Sequence, residues 1–291
     1  PRSSYIFNSG IMGIDQADVI LLIGCNPRWE APVLNARIRK QYLNGAIIGV
    51  IGPEFDLTFP YEHLSSDLKE INNMLEDTSE FGHKLSAARH PMLILGSGAL
   101  AREDGEAILG GARDLADRFN IVNAEWNGFN VLQRAASRVG GIDLGFVPKT
   151  NNDLGTRKIV RAAEKNEMDV IYLLGSDEID MDRLRDAFVI YQGHHGDAGA
   201  HRADAILPGA AYTEKNATYV NLEGRCQRAL RAVFPPGEAK EDWAIIRALS
   251  EKVGKKLPYD NLSEVRQRMS EVNPIFSDID KISKSAWGEF G

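Results

Sequence analysis

A doubly wound α/β fold, with mostly parallel strands in two lobes, is the architecture this sequence predicts. Three observations carry the prediction. Short, unbroken apolar runs stop at a glycine: VILLI before Gly24, PMLIL before Gly96 and VIYLL before Gly175. Stretches with helical spacing follow them. The alternation then recurs along the chain. Unbroken apolar runs of this length suit strands buried on both faces, as in a parallel sheet between two helical layers.

The elements follow in order. In 30–43, Val33, Leu34, Ile38 and Tyr42 fall on one helical face, with Arg37, Arg39 and Lys40 toward the other face and the C-terminal end. AIIGVIG, 46–52, is the next apolar run, so 18–52 reads as a strand–helix–strand unit with a right-handed crossover. A helix is expected over 103–119, with FNIVNA as the strand after it. A second is expected over about 180–187, between DVIYLL and AFVIYQG. GFVPKTNNDLGT, 145–156, is rich in turn formers and is the best boundary. Lobe one is then 1–150. Lobe two is 151–291 and holds ADAILPGAAYTEKNATYVNLEGR and two C-terminal helices. One carries Trp243, Ile246, Leu249 and Val253 on one face, and the other covers 261–271.

Composition bounds the function. With 291 residues, 43% hydrophobic and 26% charged, the chain is ordinary globular protein. A net charge of −7 argues against a nucleic-acid-binding face. No apolar run approaches the roughly 20 residues that span a bilayer. Only Cys25 and Cys226 are present, which gives no disulfide framework and suits a reducing compartment. Opening at Pro1 in polar sequence, the chain is expected to be a piece of something longer.

Four constellations could carry chemistry. GSGALA, 96–101, matches a G-x-G-x-x-A dinucleotide fingerprint through Gly96, Gly98 and Ala101. Glu103 and Asp104 would compete with a phosphate there, so a tight strand–helix turn is the better reading. His194, His195, Asp197, His201 and Cys226 are metal-ligand types, but most sit in one glycine-rich loop, which favours hydrogen-bonded histidines over a metal site. No G-x-S-x-G elbow exists, and the scattered carboxylates single out no acid–base pair. GCNPRWEAP, 24–32, is the most informative. It leaves a strand end for a helix start, where open α/β sheets bind ligands.

ADAILPGAAYTEKNATYVNLEGR resembles a run of the molybdopterin oxidoreductase superfamily. Together with YQGHHGD, GEAKEDWAIIRALSE, GCNPRWEAPVLNARIRK and VLQRAASRVGGIDLGF it resembles, over nearly the whole length, the large iron–sulfur subunits of respiratory complex I. The resemblance implies a molybdopterin-oxidoreductase-like fold. It also implies a protein that passes electrons from NADH toward quinone. The loop 24–32 is similar to the superfamily's G-x-N-P-x-x-S-H-P, which touches the nucleotide part of the pterin cofactor. Gly24, Asn26, Pro27 and Pro32 match, while Glu30 and Ala31 replace the serine and histidine. A vestigial loop with no cofactor, no metal and no catalytic residue is therefore expected. Glu30 would cap the helix, and Trp29 would fill the space of a nucleotide.

Iron–sulfur clusters need cysteine sets, so they are expected upstream of this segment. The partners implied are other peripheral-arm subunits. The place implied is the cytoplasmic face of a bacterial inner membrane or the matrix face of the mitochondrial one. The rival readings are a fragment of a formate-dehydrogenase-like molybdenum catalytic subunit and a free-standing nucleotide-binding protein using Gly96 and Gly98. Within ADAILPGAAYTEK, Ile206 and Leu207 are expected to be buried, with Pro208 ending the strand and Gly224 in a turn.

Overall fold

A computed structural model describes residues 1–76, 79–148, 154–288 and 290. The strands are β1 Val19–Ile23, β2 Ile47–Ile51, β3 Glu62–Ser65, β4 Pro91–Gly96, β5 Phe129–Leu132, β6 Val170–Leu174, β7 Phe188–Gly193, β8 Ala205–Pro208, β9 Ala217–Val220 and β10 Cys226–Ala229. The helices are α1 Pro27–Glu30, α2 Pro32–Leu43, α3 Glu70–Leu75, α4 Glu80–Ala87, α5 Ser97–Leu100, α6 Gly105–Arg118, α7 Arg138–Asp143, α8 Thr156–Glu164, α9 Ala198–Arg202, α10 Asp242–Lys252 and α11 Leu262–Val272.

Two compact units result. The first comprises Pro1–Gly140, Val220–Arg225 and Asp280–Gly291, and the second Gly141–Tyr219 and Cys226–Ile279. The division falls earlier than 150 and is not a single cut. Part of the expected boundary, 149–153, lies outside the described residues.

The first unit is built on a parallel five-stranded sheet in the order β3-β2-β1-β4-β5. Alternate residues of β1 serve opposite faces, as pleating requires. Leu21 and Ile23 join Leu93, Leu95 and Phe129 under α3, α4 and α6, through Ile71, Met74, Phe81, Leu85, Ile108 and Leu115. Ile20 and Leu22 join Ile48, Val50, Met92 and Ile94 on the other side, under Leu34 and Ile38 of α2 together with Phe7, Ile14 and Leu57. With both faces covered, the continuous apolar strands are explained. The second unit holds the parallel sheet β6-β7-β8. Ile171, Leu173, Val189 and Tyr191 pack there with Ala163 of α8, Met181 and Leu184.

Several expectations shift. The strand after α6 is β5, not 119–124. Phe119 and Ile121 instead close the helix, their N–H groups donating to the carbonyls of Leu115 and Ala116. α6 starts at Gly105, after Arg102 and Asp104 have paired side chain to side chain at 2.7 and 2.9 Å. Residues 180–187 form only a 3-10 turn, Met181–Leu184, ended by Arg185 at φ 50. Val33 faces solvent at 74% exposure, because α1 and α2 are separate helices broken at Ala31. Val253 lies beyond α10, at its C-cap, and is also exposed.

Ile206 is 55% exposed and Leu207 half-buried, which corrects their expected burial. β8 is an edge strand, so it has a covering neighbour on one side only. Pro208 does end that strand, and Gly224 turns at φ 80.

Candidate functional site

In the first sheet the chain builds outward from β1 to β2 and β3, then returns to the other side of β1 as β4. The carboxyl ends of β1 and β4 are therefore the topological switch point, where doubly wound folds open a ligand crevice. Gly24 follows β1 at φ 57, a region that favours glycine, and its N–H donates to the Ile51 carbonyl at 2.8 Å. Gly96 ends β4. A Cβ on Gly96 would collide with the Gly24 carbonyl oxygen, and would lie 2.8 Å from Cys25 Cβ. A Cβ on Gly24 would lie 2.7 Å from that of Ala99, in α5. The two loops are pressed together, backbone against backbone.

The loop's polar groups are turned inward too. Asn26 N–H donates to Glu30 Oε1 at 2.6 Å, so the carboxylate reaches back to the N-cap of its own short helix. The N–H groups of Trp29 and Glu30 are held by the Asn26 carbonyl. Pro27 is buried at the first position of α1, and Pro32 opens α2, where a missing N–H costs nothing. Arg134 Nε lies 3.8 Å from Glu30 Oε2, half-solvated, so the pair adds little stability. Asn26 Oδ1 is buried and has no hydrogen-bond partner among the described residues. A phosphate-bearing cofactor does not fit this loop as it stands. The N–H groups of Gly24, Asn26, Trp29 and Glu30 are in use, the Gly24 and Gly96 backbones are pressed together, and the Glu30 carboxylate sits at the N-cap of α1. Trp29 does not fill the space; it is 79% exposed on the outside of α1.

Cys25 is buried, and its thiol is pushed far above the ordinary range, first by burial and then by the nearby Glu30 charge. Sγ lies 3.6 Å from the Ile94 carbonyl, as a donor.

The other candidates separate. Gly96 of the fingerprint is explained by the approach of Gly24, and Gly98 lies within the single turn of α5. His194, His195 and His201 are exposed, and Asp197 stands at the N-cap position of α9 without a side-chain cap, whereas Cys226 is buried. Among the described residues no group of three or more His, Cys, Asp or Glu could hold a metal ion. Beyond β5 a cavity of about 200 Å³ is lined by Gln133, Arg134, Ser137, Val139, Val220 and Leu222, with Arg134 its only ionisable side chain.

The NLEGR run has a structural job the sequence did not disclose. Glu223 is buried and accepts the Ile11 N–H at 2.7 Å and Asn221 Nδ2 at 3.1 Å. The Leu222 carbonyl accepts the Phe7 N–H at 2.8 Å, and Arg2 Nη2 donates to the Gly224 carbonyl at 2.9 Å. The run thus ties down the N-terminal segment. Only Gly224, needed at positive φ, signalled this in the sequence.

Residues 1–252 match the molybdopterin oxidoreductase family model, and the chain belongs to that family. More particularly, it is 49% identical over 285 residues to the mitochondrial NADH-ubiquinone oxidoreductase 78 kDa subunit of Neurospora crassa, covering 97% of this chain and 37% of that protein. It is 43% identical over 290 residues to an NADH-quinone oxidoreductase subunit of Rickettsia bellii, covering 99% and 41%. It is likewise 43% identical over 287 residues to the NADH-ubiquinone oxidoreductase 75 kDa subunit of Reclinomonas americana, covering 98% and 40%. The chain thus spans about two fifths of the length of these curated relatives. Its fold is similar to acetylene hydratase from Pelobacter acetylenicus, with a TM-score of 0.60 at 12% identity, covering 94% of this chain and 54% of that one.

Proposed function

We propose that this chain is a non-catalytic scaffold and docking part of the large iron–sulfur subunit of complex I. The observation that carries the reading is the closed switch point. Gly24 and Gly96 pack backbone against backbone, and Glu30 takes the Asn26 N–H. A family built to hold a pterin cofactor has here a loop that holds only itself. The likeness to the 75 and 78 kDa subunits supports the setting.

In this reading the whole protein passes electrons from NADH toward quinone through clusters in the part of the polypeptide upstream of this one. Two buried cysteines cannot supply a four-thiolate set. The partners are other peripheral-arm subunits, without nucleic acid and without membrane insertion. The protein lies on the matrix or cytoplasmic side. No helix among the described residues is long and apolar enough to cross a membrane.

Equilibrium titration of the chain with guanine nucleotides and with a molybdopterin dinucleotide tests the reading, alongside iron analysis of anaerobically purified protein. No saturable binding and no stoichiometric iron are expected. Tight dinucleotide binding would restore the molybdenum-enzyme alternative.

A further inference from the structure

The helix that leaves the closed loop carries an unexplained outer surface. α2 has two faces. Leu34, Asn35, Ile38 and Gln41 are buried against the first unit's core. On the opposite face Pro32, Val33, Ala36, Arg39, Lys40 and Leu43 are all exposed. Val33 is 74% exposed and Leu43 64%, and Trp29, on the preceding α1, is 79% exposed. A solvent-facing helix surface is ordinarily polar. Val33 and Leu43 on that outer face, with the exposed Trp29 on the helix just before it, are residue types of an interface centre.

The charge around them has a sign. Over 27–43 four cations, Arg28, Arg37, Arg39 and Lys40, face a single carboxylate, Glu30, in a chain whose net charge is −7. Arg28 is paired with Asp56 and Arg37 with Asp15. Arg39 and Lys40 have no ion-pair partner among the described residues. Their place near the helix C-terminus accounts for positive charge. It does not account for the bare Trp29, Val33 and Leu43 beside it.

We infer that the outer face of α1 and α2 is a docking surface for an acidic partner protein. Trp29 and Val33 enter an apolar depression on that partner, and Arg39 and Lys40 meet carboxylates at its rim. Complementary charge at a rim orients and selects the partner, while the buried aromatic supplies most of the affinity. A second copy of this chain would have to bring its own cations onto these, which opposes self-association through this face. The inference rests on the docking role proposed above and gives that role a location.

The test uses the full-length protein in the assembled NADH-oxidising complex. Zero-length carbodiimide coupling joins Lys40 Nζ to any carboxylate it touches, and mass spectrometry identifies the joined peptides. Hydroxyl-radical footprinting reads Trp29 in the same samples. The expected result is an amide between Lys40 and an Asp or Glu of another polypeptide, with Trp29 protected in the complex and open in the free chain. Trp29→Ala and Lys40→Glu should weaken retention in the complex, by about thirtyfold for Trp29→Ala, while Lys40→Arg retains it. Both side chains are exposed, so the thermal midpoint of the free chain should not move in any of the three variants. Lys40 joined only to carboxylates of this chain or of a second copy, or Trp29 equally open in the complex, would overturn the docking surface but not the scaffold role. Failure of the full-length protein to fractionate with NADH oxidation would overturn the scaffold role itself, and this surface with it.

Discussion

The Gly24 carbonyl oxygen stands where a side chain on Gly96 would begin. That single contact brings the two loop backbones together at the carboxyl ends of β1 and β4. It also accounts for a glycine that, read in sequence, looked like part of a nucleotide fingerprint. Gly96→Ala should therefore cost about 1–3 kcal/mol, the usual cost of overpacking a rigid neighbour. Gly110→Ala is the matched control. Its Cβ meets nothing, and helical alanine should gain about 0.5–1 kcal/mol. Chemical denaturation of both variants measures the contrast, and equal midpoints would contradict the close approach.

Trp126 Nε1 donates to the Pro91 carbonyl at 2.7 Å inside the first unit. Trp126→Phe keeps much of the ring but strands that buried acceptor, at a cost of roughly 1–3 kcal/mol. The effect should appear as a lower urea midpoint with an unchanged slope.

Ile206→Asp should change the stability of the free chain by no more than about 0.5 kcal/mol, as exposed substitutions usually do. The side chain lies on edge strand β8 and is 55% exposed. A loss of several kcal/mol in thermal or urea unfolding would mean that Ile206 is part of the core after all.

Asp204 accepts the Val189 N–H at 2.8 Å and lies 3.4 Å from Arg202 Nη1. The backbone donor, and then the arginine, hold its carboxyl below the usual range. The folded state therefore binds the proton less readily than the unfolded chain. Its contribution is complete above the ordinary carboxylate value of about 4 and is lost as pH falls through the depressed value. Asp204→Asn should flatten the acid limb of the stability curve and leave the slope near neutral pH unaltered.

The strands of the first sheet were the most legible elements, because VILLI and PMLIL are covered on both faces, whereas Val170 and Leu174 at the ends of VIYLL are 53% and 49% exposed. The turn at Gly24 was legible too, but not the helix start that Glu30 serves: its carboxylate accepts the Asn26 N–H at the start of α1, while α2, the expected helix, has no side-chain cap. What depended on distant partners was not. FNIVNA has strand composition, yet Phe119 and Ile121 are used to end a helix and FNVL takes the sheet position. The burial expected for Ile206 assumed a neighbour on both sides, and an edge strand has one. Trp29 read as a plug because an indole is usually buried, but the break at Ala31 turns it outward. The NLEGR run looked like a cofactor-family signature, whereas its carboxylate serves the backbone of Ile11.

The path of the chain also sets an order for synthesis. The five strands of the first sheet are all synthesised once Leu132 is made. The segment before β1 then has acceptors in β5, with Asn8 Nδ2 donating to the Phe129 carbonyl at 2.7 Å and the Ser9 N–H to Asn130 Oδ1 at 3.0 Å. Three further bonds need residues made later. Phe7 awaits the carbonyl of Leu222, Ile11 awaits Glu223, and the Ser3 hydroxyl awaits the carbonyl of Ala286. A nascent chain halted before residue 220 would hold a finished sheet with the Phe7 and Ile11 N–H groups still lacking these partners. The bonds of this segment are complete only after Ala286 is made.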